Sequence, residues 1–299
     1  MDQFLLLFSM KSCCQVALYI LLGLFLKRKV KGDIKLEYKI SVIIPYFRSH
    51  ETIERTIKSI NNQTIDVYEI IIIDDNSNTY EDNKILDSLK NKSNLKIIKS
   101  DVNRGPSYCR NLGIDEAKGD FIAFQDSDDA WHPQKLEIQI KIMEKYGFYL
   151  SGHGSEILKS ENEIPSSHLF SEDIIVKKIG KFQQLFKNRF PTRSVMIKND
   201  KNFKFDVDLR RAEDYLMWTN ILFNNKTAGF IDKNLAYSFK EHYGDSGLTK
   251  NLFKMYKGGI HACFKLYKLK KINLILFFVL FILRSIKYLM RELLLFVRK

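Results

Sequence analysis

The chain has 299 residues, 45% of them apolar and 13% aromatic, with a net charge of +13. That apolar content excludes global disorder, and 14 Gly with 5 Pro exclude a collagen-like or low-complexity chain. The charge also excludes a nucleic-acid-binding core: residues 1–40 carry +4 and residues 265–299 carry +8, so the middle is close to neutral and the basic ends point to an anionic membrane surface.

Residues 4–26 are an apolar run, followed at once by Lys27, Arg28, Lys29 and Lys31. Its 23 residues are enough to span a bilayer, with the basic cluster left on the cytoplasmic side. Asp2 and the lack of a small-residue cleavage site argue against a signal peptide. Lys11, near the centre, costs about 2.5–3.5 kcal/mol in a spanning helix, so a helix lying in the interface is the alternative. Cys13, Cys14, Cys109 and Cys263 form no C-x-x-C pair, which points away from zinc and disulfides and towards a reducing compartment.

From residue 40 the pattern alternates. Short β-branched or aromatic runs predict strands at 40–44, 69–73, 95–98 and 121–124. Helical spacing predicts helices at 51–61, 80–90, 107–117 and 133–146, the last opened by Pro133. Strand–helix alternation at this spacing predicts an α/β fold with parallel strands, where ligands bind off the carboxyl ends. No repeat or Pro/Gly-rich linker divides residues 40–260, which read as one domain.

Polar clusters follow the strands. Asp126-Ser127-Asp128-Asp129 places three carboxylates within four residues, a cluster that calls for a cation. Mg²⁺ or Mn²⁺ suits it, since these ions take one or two carboxylates and leave sites for phosphate oxygens. In an extended segment Asp126 and Asp128 would share a face; a solvated turn capping the next helix is the alternative. Asp74-Asp75-Asn76-Ser77 follows the second strand, either as acceptor for the N–H of a base such as uracil or as an Asx turn. Glu213-Asp214 opens a further helical run, where the acids favour the helix dipole or supply a general base. Walker, zincin and nucleophile-elbow motifs are missing, and Gly152-His153-Gly154 lacks the third glycine of a dinucleotide fingerprint.

At the C-terminal end, residues 272–283 are an apolar run of 12, too short to span. Arg284, Lys287 and Arg291 then recur at spacings of three and four among apolar residues. This predicts a basic stripe on an apolar helix lying in the membrane plane. A helix packed on the domain with its basic side solvated is the alternative.

Together, SVIIPYF at 41–47, IIIDDNSN at 71–78, NRGPSYCRNLGIDEAKGDFIAFQDSDD at 103–129, WHPQKL at 131–136 and RRAEDYLMW at 210–218 resemble glycosyltransferase family 2, over about residues 40–245. The resemblance implies an inverting enzyme of the GT-A type, with a Rossmann-like mixed, mainly parallel sheet flanked by helices. The expected organisation is a terminal anchor or interfacial helix at 1–35, a catalytic domain at 36–250 and membrane-associated helices at 251–299. By the resemblance Asp75 binds the base, Pro45 and Tyr46 line the nucleotide pocket, and Arg110 touches the nucleotide. Asp126 and Asp128 form the D-x-D for ribose and metal, with Asp129 close by; His242 lies in a polar loop near the diphosphate. Asp214 is the base and Glu213 supports it. The implied partners are a nucleotide-sugar donor, UDP-glucose or UDP-galactose first, and an undecaprenyl-diphosphate-linked sugar acceptor in O-antigen, capsule or exopolysaccharide synthesis. The implied place is the cytoplasmic face of the cell membrane, peripheral or N-terminally anchored. Residues 152–180 match no motif, and acceptor choice is expected there. A non-catalytic nucleotide-sugar-binding protein or a membrane scaffold is the competing class.

Overall fold

The structure is a computed structural model that describes residues 38–90, 93–165, 174–239 and 251–297. The N-terminal apolar run and His242 lie outside the described residues. The first half alternates β1 (Ile40–Tyr46), α1 (Ile53–Asn61), β2 (Glu69–Asp74), α2 (Tyr80–Leu89), β3 (Leu95–Lys99), α3 (Pro106–Glu116) and β4 (Phe121–Phe124). The strands pair in parallel in the order β3-β2-β1-β4. Every residue of β1 from Ile40 to Ile44 is buried, as are Ile70–Ile73 of β2; helices cover both faces, which is why these strands read as unbroken apolar runs.

The second half adds β5 (Asp129–Trp131), α4 (Lys135–Tyr146), β6 (Leu150–Ile157), β7 (Val176–Ile179), α5 (Lys181–Phe186), β8 (Met196–Lys198), α6 (Glu213–Phe223) and β9 (Ala228–Ser238). β8 joins β4 antiparallel and carries the sheet on to β6. The long β9 then pairs with β6 in parallel and with β5 and β7 antiparallel. The sheet is therefore mixed: parallel where the predicted strands lie, largely antiparallel beyond them. Helix α4 begins at Lys135 rather than at Pro133, whose carbonyl instead accepts from the Thr64 amide.

Two features open a cleft. The chain runs β1, β2, β3 to one side and then crosses to β4 on the other, so the connections diverge between β1 and β4. β4 pairs with β1 only from Ile40 to Ile43, so β1 overhangs it. Pro45, which has no amide to donate, sits in that overhang, which explains a proline inside the strand.

Beneath the cleft, Phe124 of β4, Phe205 and Trp218 of α6 form an aromatic trio with ring centroids 5.4–5.7 Å apart. It ties the end of β4 to the middle of α6. A second core cluster joins Leu185 of α5 and Tyr215 and Leu216 of α6 to α7 (Leu252–Lys268) and α8 (Leu274–Val297), through Ala262, Cys263, Leu266 and Leu280. The described residues from Lys39 onward fall in one compact unit, in which α7 and α8 share a core with α6. Among the described residues no helix is long and apolar enough to cross a membrane. Cys109 and Cys263 are free and buried.

Candidate functional site

The acidic turn after β4 is clamped from α1 and its N-cap Thr52. Thr52 Oγ1 donates to the Ser127 carbonyl (2.9 Å), Arg55 Nη2 to that of Asp128 (2.8 Å) and Thr56 Oγ1 to that of Asp129 (2.8 Å). The segment turns at Ser127 and Asp128 and enters β5 at Asp129, whose amide donates to the Asp126 carbonyl (3.3 Å). Burial still alternates: Asp126 and Asp128 are half-buried, while Ser127 and Asp129 are buried.

The acids have divergent settings. Asp126 accepts from Arg110 Nη2 at 2.9 Å, and the same guanidinium reaches Glu213 at 3.4 Å. Arg110 is almost wholly buried. Burial by itself would lower its pKa, but Asp126 and then Glu213 more than offset that and raise it. Asp129 is paired with Arg193 at 3.0 Å; burial still raises its pKa against that partner.

After β2 the acids divide their work. Asp74 Oδ1 accepts from the Ser77 amide (3.0 Å), which is the Asx turn. Asp75 turns the other way, its two oxygens accepting from the amides of Arg104 (2.8 Å) and Gly105 (2.7 Å). A carboxylate has about four lone-pair sites; those two amides and the adjacent Cys109 thiol leave acceptor capacity for a ligand. Gly105 has φ +90° and leads into Pro106, the first residue of α3, so a side chain there would be strained. Tyr46 lies in the cavity wall, but its hydroxyl is turned away to Asp82, and burial followed by that bond raises its pKa.

These residues enclose a cavity of about 630 Å³. Pro45, Tyr46, Asp75, Arg110, Asp126, Asp128, Asp129 and Glu213 all line it. A second cavity of about 540 Å³ lies against it, with Arg110, Asp126, Arg193, Arg210 and Glu213 common to both walls. Asp214 lines this second cavity. Ala212, shortly before it, has a left-handed φ of 61°, a strained conformation for alanine that sets the entry to α6. Asn188 Nδ2 donates to Asp214 Oδ2 at 2.8 Å, and the Tyr215 amide donates to Oδ1 at 2.6 Å. Withdrawal from water, and then the adjacent Glu213 charge, push Asp214 up to about 6 against those bonds and Arg110.

The family follows from here. Residues 41–207, more than half of the chain, match the pattern of Glycosyl transferase family 2. The chain belongs to that family. It is 36% identical over 202 residues to an uncharacterized glycosyltransferase of Rickettsia conorii, a match covering 66% of this chain and 32% of that protein. The chain thus spans about a third of the Rickettsia relative's length. It is 29% identical over 226 residues to the UDP-Glc:alpha-D-GlcNAc-diphosphoundecaprenol beta-1,3-glucosyltransferase WfgD of Escherichia coli, covering 74% of this chain and 83% of that one. In fold it is similar to a mannosyltransferase of Pyrobaculum calidifontis solved with GDP-Man and Mn²⁺, with TM-score 0.57, 14% identity, and 83% of this chain and 71% of that chain covered. The mixed sheet flanked by helices is the GT-A arrangement expected from the motifs.

Sequence reasoning did not single out Arg193, Arg210, Asn188 or Lys187. Arg210 stands two residues before Ala212 and three before the acidic pair, inside the quoted RRAEDYLMW, so a basic doublet beside two acids was a usable signal. Arg193 gave none, because only the packing of its turn under Trp131 brings it to Asp129: the indole Nε1 donates to the Arg193 carbonyl at 3.0 Å.

The basic stripe borders the second cavity, which Asp214 also lines, with Arg284 half-buried and Lys287 and Arg291 exposed. The outer face of α8 is apolar, with Ile275, Ile282, Leu289 and Leu293 exposed.

Proposed function

We propose that the chain is an inverting glycosyltransferase that moves a hexose from a nucleotide sugar to a lipid-linked, polyprenyl-diphosphate sugar acceptor, with UDP-glucose or UDP-galactose as first donors. The carrying observation is the pair of adjoining cavities, one walled by Asp75, Asp126 and Asp128 and the other holding Asp214, with Arg110 and Glu213 in the shared wall. A donor in the first cavity and an acceptor hydroxyl in the second would meet at this shared wall. Such a meeting suits a single in-line displacement with inversion and no covalent intermediate.

Asp214 accepts the proton of the acceptor hydroxyl as that oxygen bonds to the anomeric carbon. A carboxylate raised to about 6 is a stronger base than an ordinary one and is still ionised at neutral pH. Asn188 holds Oδ2 and the Tyr215 amide holds Oδ1, which together fix the orientation of the carboxylate. Glu213 raises Asp214 and anchors Arg110, which in turn orients Asp126. Asp75 fixes the loop at Arg104 and Gly105 and keeps acceptor capacity for a base N–H.

A divalent cation fits the donor set. Among the described residues no group of three His, Cys, Asp or Glu side chains is placed to hold a metal ion. Mg²⁺ and Mn²⁺, however, bind through one or two carboxylates plus substrate phosphates, and Asp126 and Asp128 supply two half-buried carboxylates on the cavity wall. Asp129, buried and with both oxygens on Arg193, would support rather than ligate, whereas Asp126 gives only Oδ1 to Arg110. When bound, Mn²⁺ or Mg²⁺ neutralises the charge that grows on the departing diphosphate. The apolar outer face of α8 would rest on the cytoplasmic face of the membrane, where a lipid-linked acceptor is found.

The test is transfer of labelled hexose from UDP-sugars to lipid-linked acceptor with Mn²⁺ present, for wild type and Asp214→Asn. The variant should lose about 10²–10⁴-fold in rate while UDP raises its melting temperature as it does for wild type. Activity within a few-fold of wild type would refute the base assignment. A wild-type chain that binds UDP but transfers nothing would favour the non-catalytic binding class.

A further inference from the structure

We infer that the cations of α8, with Lys187 and Arg211, form a subsite for the diphosphate of the acceptor lipid, placing the acceptor sugar against Asp214. The inference rests on the lipid-linked acceptor proposed above and names the residues that would read it.

Helix α8 is turned inside out relative to an amphipathic helix on a water-exposed surface. Its inward face begins apolar, with Leu280 buried, and becomes basic at Arg284, Lys287 and Arg291 as it passes the second cavity. Spacings of three and four keep those cations on one side. Lys187, from the turn after α5, faces them across the cavity. Burial, and then the charges of Arg291, Arg284 and Lys187, hold the Lys287 ammonium below the usual lysine range. Among the described residues no carboxylate forms an ion pair with Lys187, Arg284, Lys287 or Arg291. Asp214 and Glu213, in the same wall, offset only part of that positive charge.

The site is also sculpted. Gly258 and Gly259 stand in the middle of α7, where each glycine weakens the helix by about 1 kcal/mol relative to alanine. A Cβ at Gly259 would lie 2.6 Å from Arg284 Nη1, and one at Gly258 would lie 2.8 Å from Arg211 Cβ. The two glycines admit the two arginines. Arg284 packs over the Tyr215 ring at 4.5 Å, and its Nε is buried with no hydrogen-bond partner. The same Arg284, Lys287 and Arg291 also line a smaller groove between α7 and α8, together with Leu252, Met255 and the stacked Tyr256 and Tyr288 rings, 4.9 Å apart. Cations bordered by apolar and aromatic side chains match a diphosphate joined to a hydrocarbon chain. Fixed guanidinium forks and ammonium groups are the donors such an anion requires.

The experiment measures binding to the full-length chain in detergent by calorimetry. The probes are farnesyl diphosphate, farnesol and inorganic pyrophosphate, with UDP reporting separately on the donor cavity. Farnesyl diphosphate should bind with UDP present, at least about tenfold tighter than pyrophosphate or farnesol. The variant Lys287→Gln/Arg291→Gln, altered at two exposed positions, should weaken it about 10- to 100-fold, on the order of tenfold per charge-assisted contact, and leave UDP binding as in wild type. Equal farnesyl diphosphate binding by the variant, competition by UDP, or equal affinity for pyrophosphate would overturn the subsite. Failure of the wild type to bind UDP would sink the donor reading and leave the farnesyl diphosphate comparison standing on its own.

Discussion

Arg110→Met tests the bridge on which the two cavities depend. The substitution removes the cation shared by Asp126 (2.9 Å) and Glu213 (3.4 Å) and puts an apolar chain of similar length beside Phe205. The Arg110 side chain is 6% exposed, Glu213 12% and Asp126 28%. Removing one member of a buried ion pair costs about 3–5 kcal/mol, because the remaining charge loses its compensation without regaining water. Asp126 is the most hydrated of the three, so the lower end, about 3 kcal/mol, is expected. Urea unfolding followed by tryptophan fluorescence measures it directly, since Trp131 and Trp218 are both buried. The midpoint should fall with the slope unchanged. The triple variant Arg110→Met/Asp126→Asn/Glu213→Gln, neutral throughout, should recover most of the loss. A single variant within about 0.5 kcal/mol of wild type, the range of ordinary surface changes, would refute the view that this bridge is a buried ion pair holding β4 to α6.

Two further outcomes are expected. With Asp214 raised to about 6 by burial and Glu213, kcat/KM should fall as the pH is lowered through 6, whereas an ordinary carboxylate near 4 would keep its activity down to lower pH; Arg110→Met, which removes a charge that lowers Asp214, should move that limb upward, and a wild-type limb near pH 4 would count against Asp214 as the base. Lys135 is fully buried, with its ammonium 3.7 Å from the Trp131 ring centroid and no hydrogen-bond partner, so burial holds its pKa well below the usual value. The unfolded chain then binds the extra proton at neutral pH, and this group's destabilising effect fades as the pH rises towards the unfolded lysine value. Thermal melts should find Lys135→Met more stable at pH 7 by about 1–3 kcal/mol, with the advantage shrinking towards pH 10; a destabilised variant would contradict this.

How much the chain declares about itself differs between its halves. The runs ISVII, EIIII and FIAF are buried on both faces of a parallel sheet, so burial writes itself as uninterrupted apolar sequence and the strands could be placed to within a residue or two. The acids after those strands were equally legible, because chain connectivity alone puts them at the carboxyl edge. LSGHGSEI and MIK carry no such signal: β6 and β8 are strands because β4 and β9 offer them edges, a matter of pairing rather than of local pattern. The same limit applies to partners. Glu213 and Asp214 are visible as a pair, yet only the turn at Ala212 and the packing of α6 set one against Arg110 and the other into a separate cavity.

The stripe on α8 marks the boundary most clearly. Helical spacing in the sequence determines that Arg284, Lys287 and Arg291 share a face and that leucine and isoleucine occupy the opposite one. Which face meets the protein is a property of the packed whole. It was decided by Leu280 and Ile272 entering the core with Ala262 and Leu266, and by the room that Gly258 and Gly259 leave for arginines. Periodicity is a one-dimensional quantity and fixes relative direction along a helix; inward and outward exist only once a second surface has been brought against it.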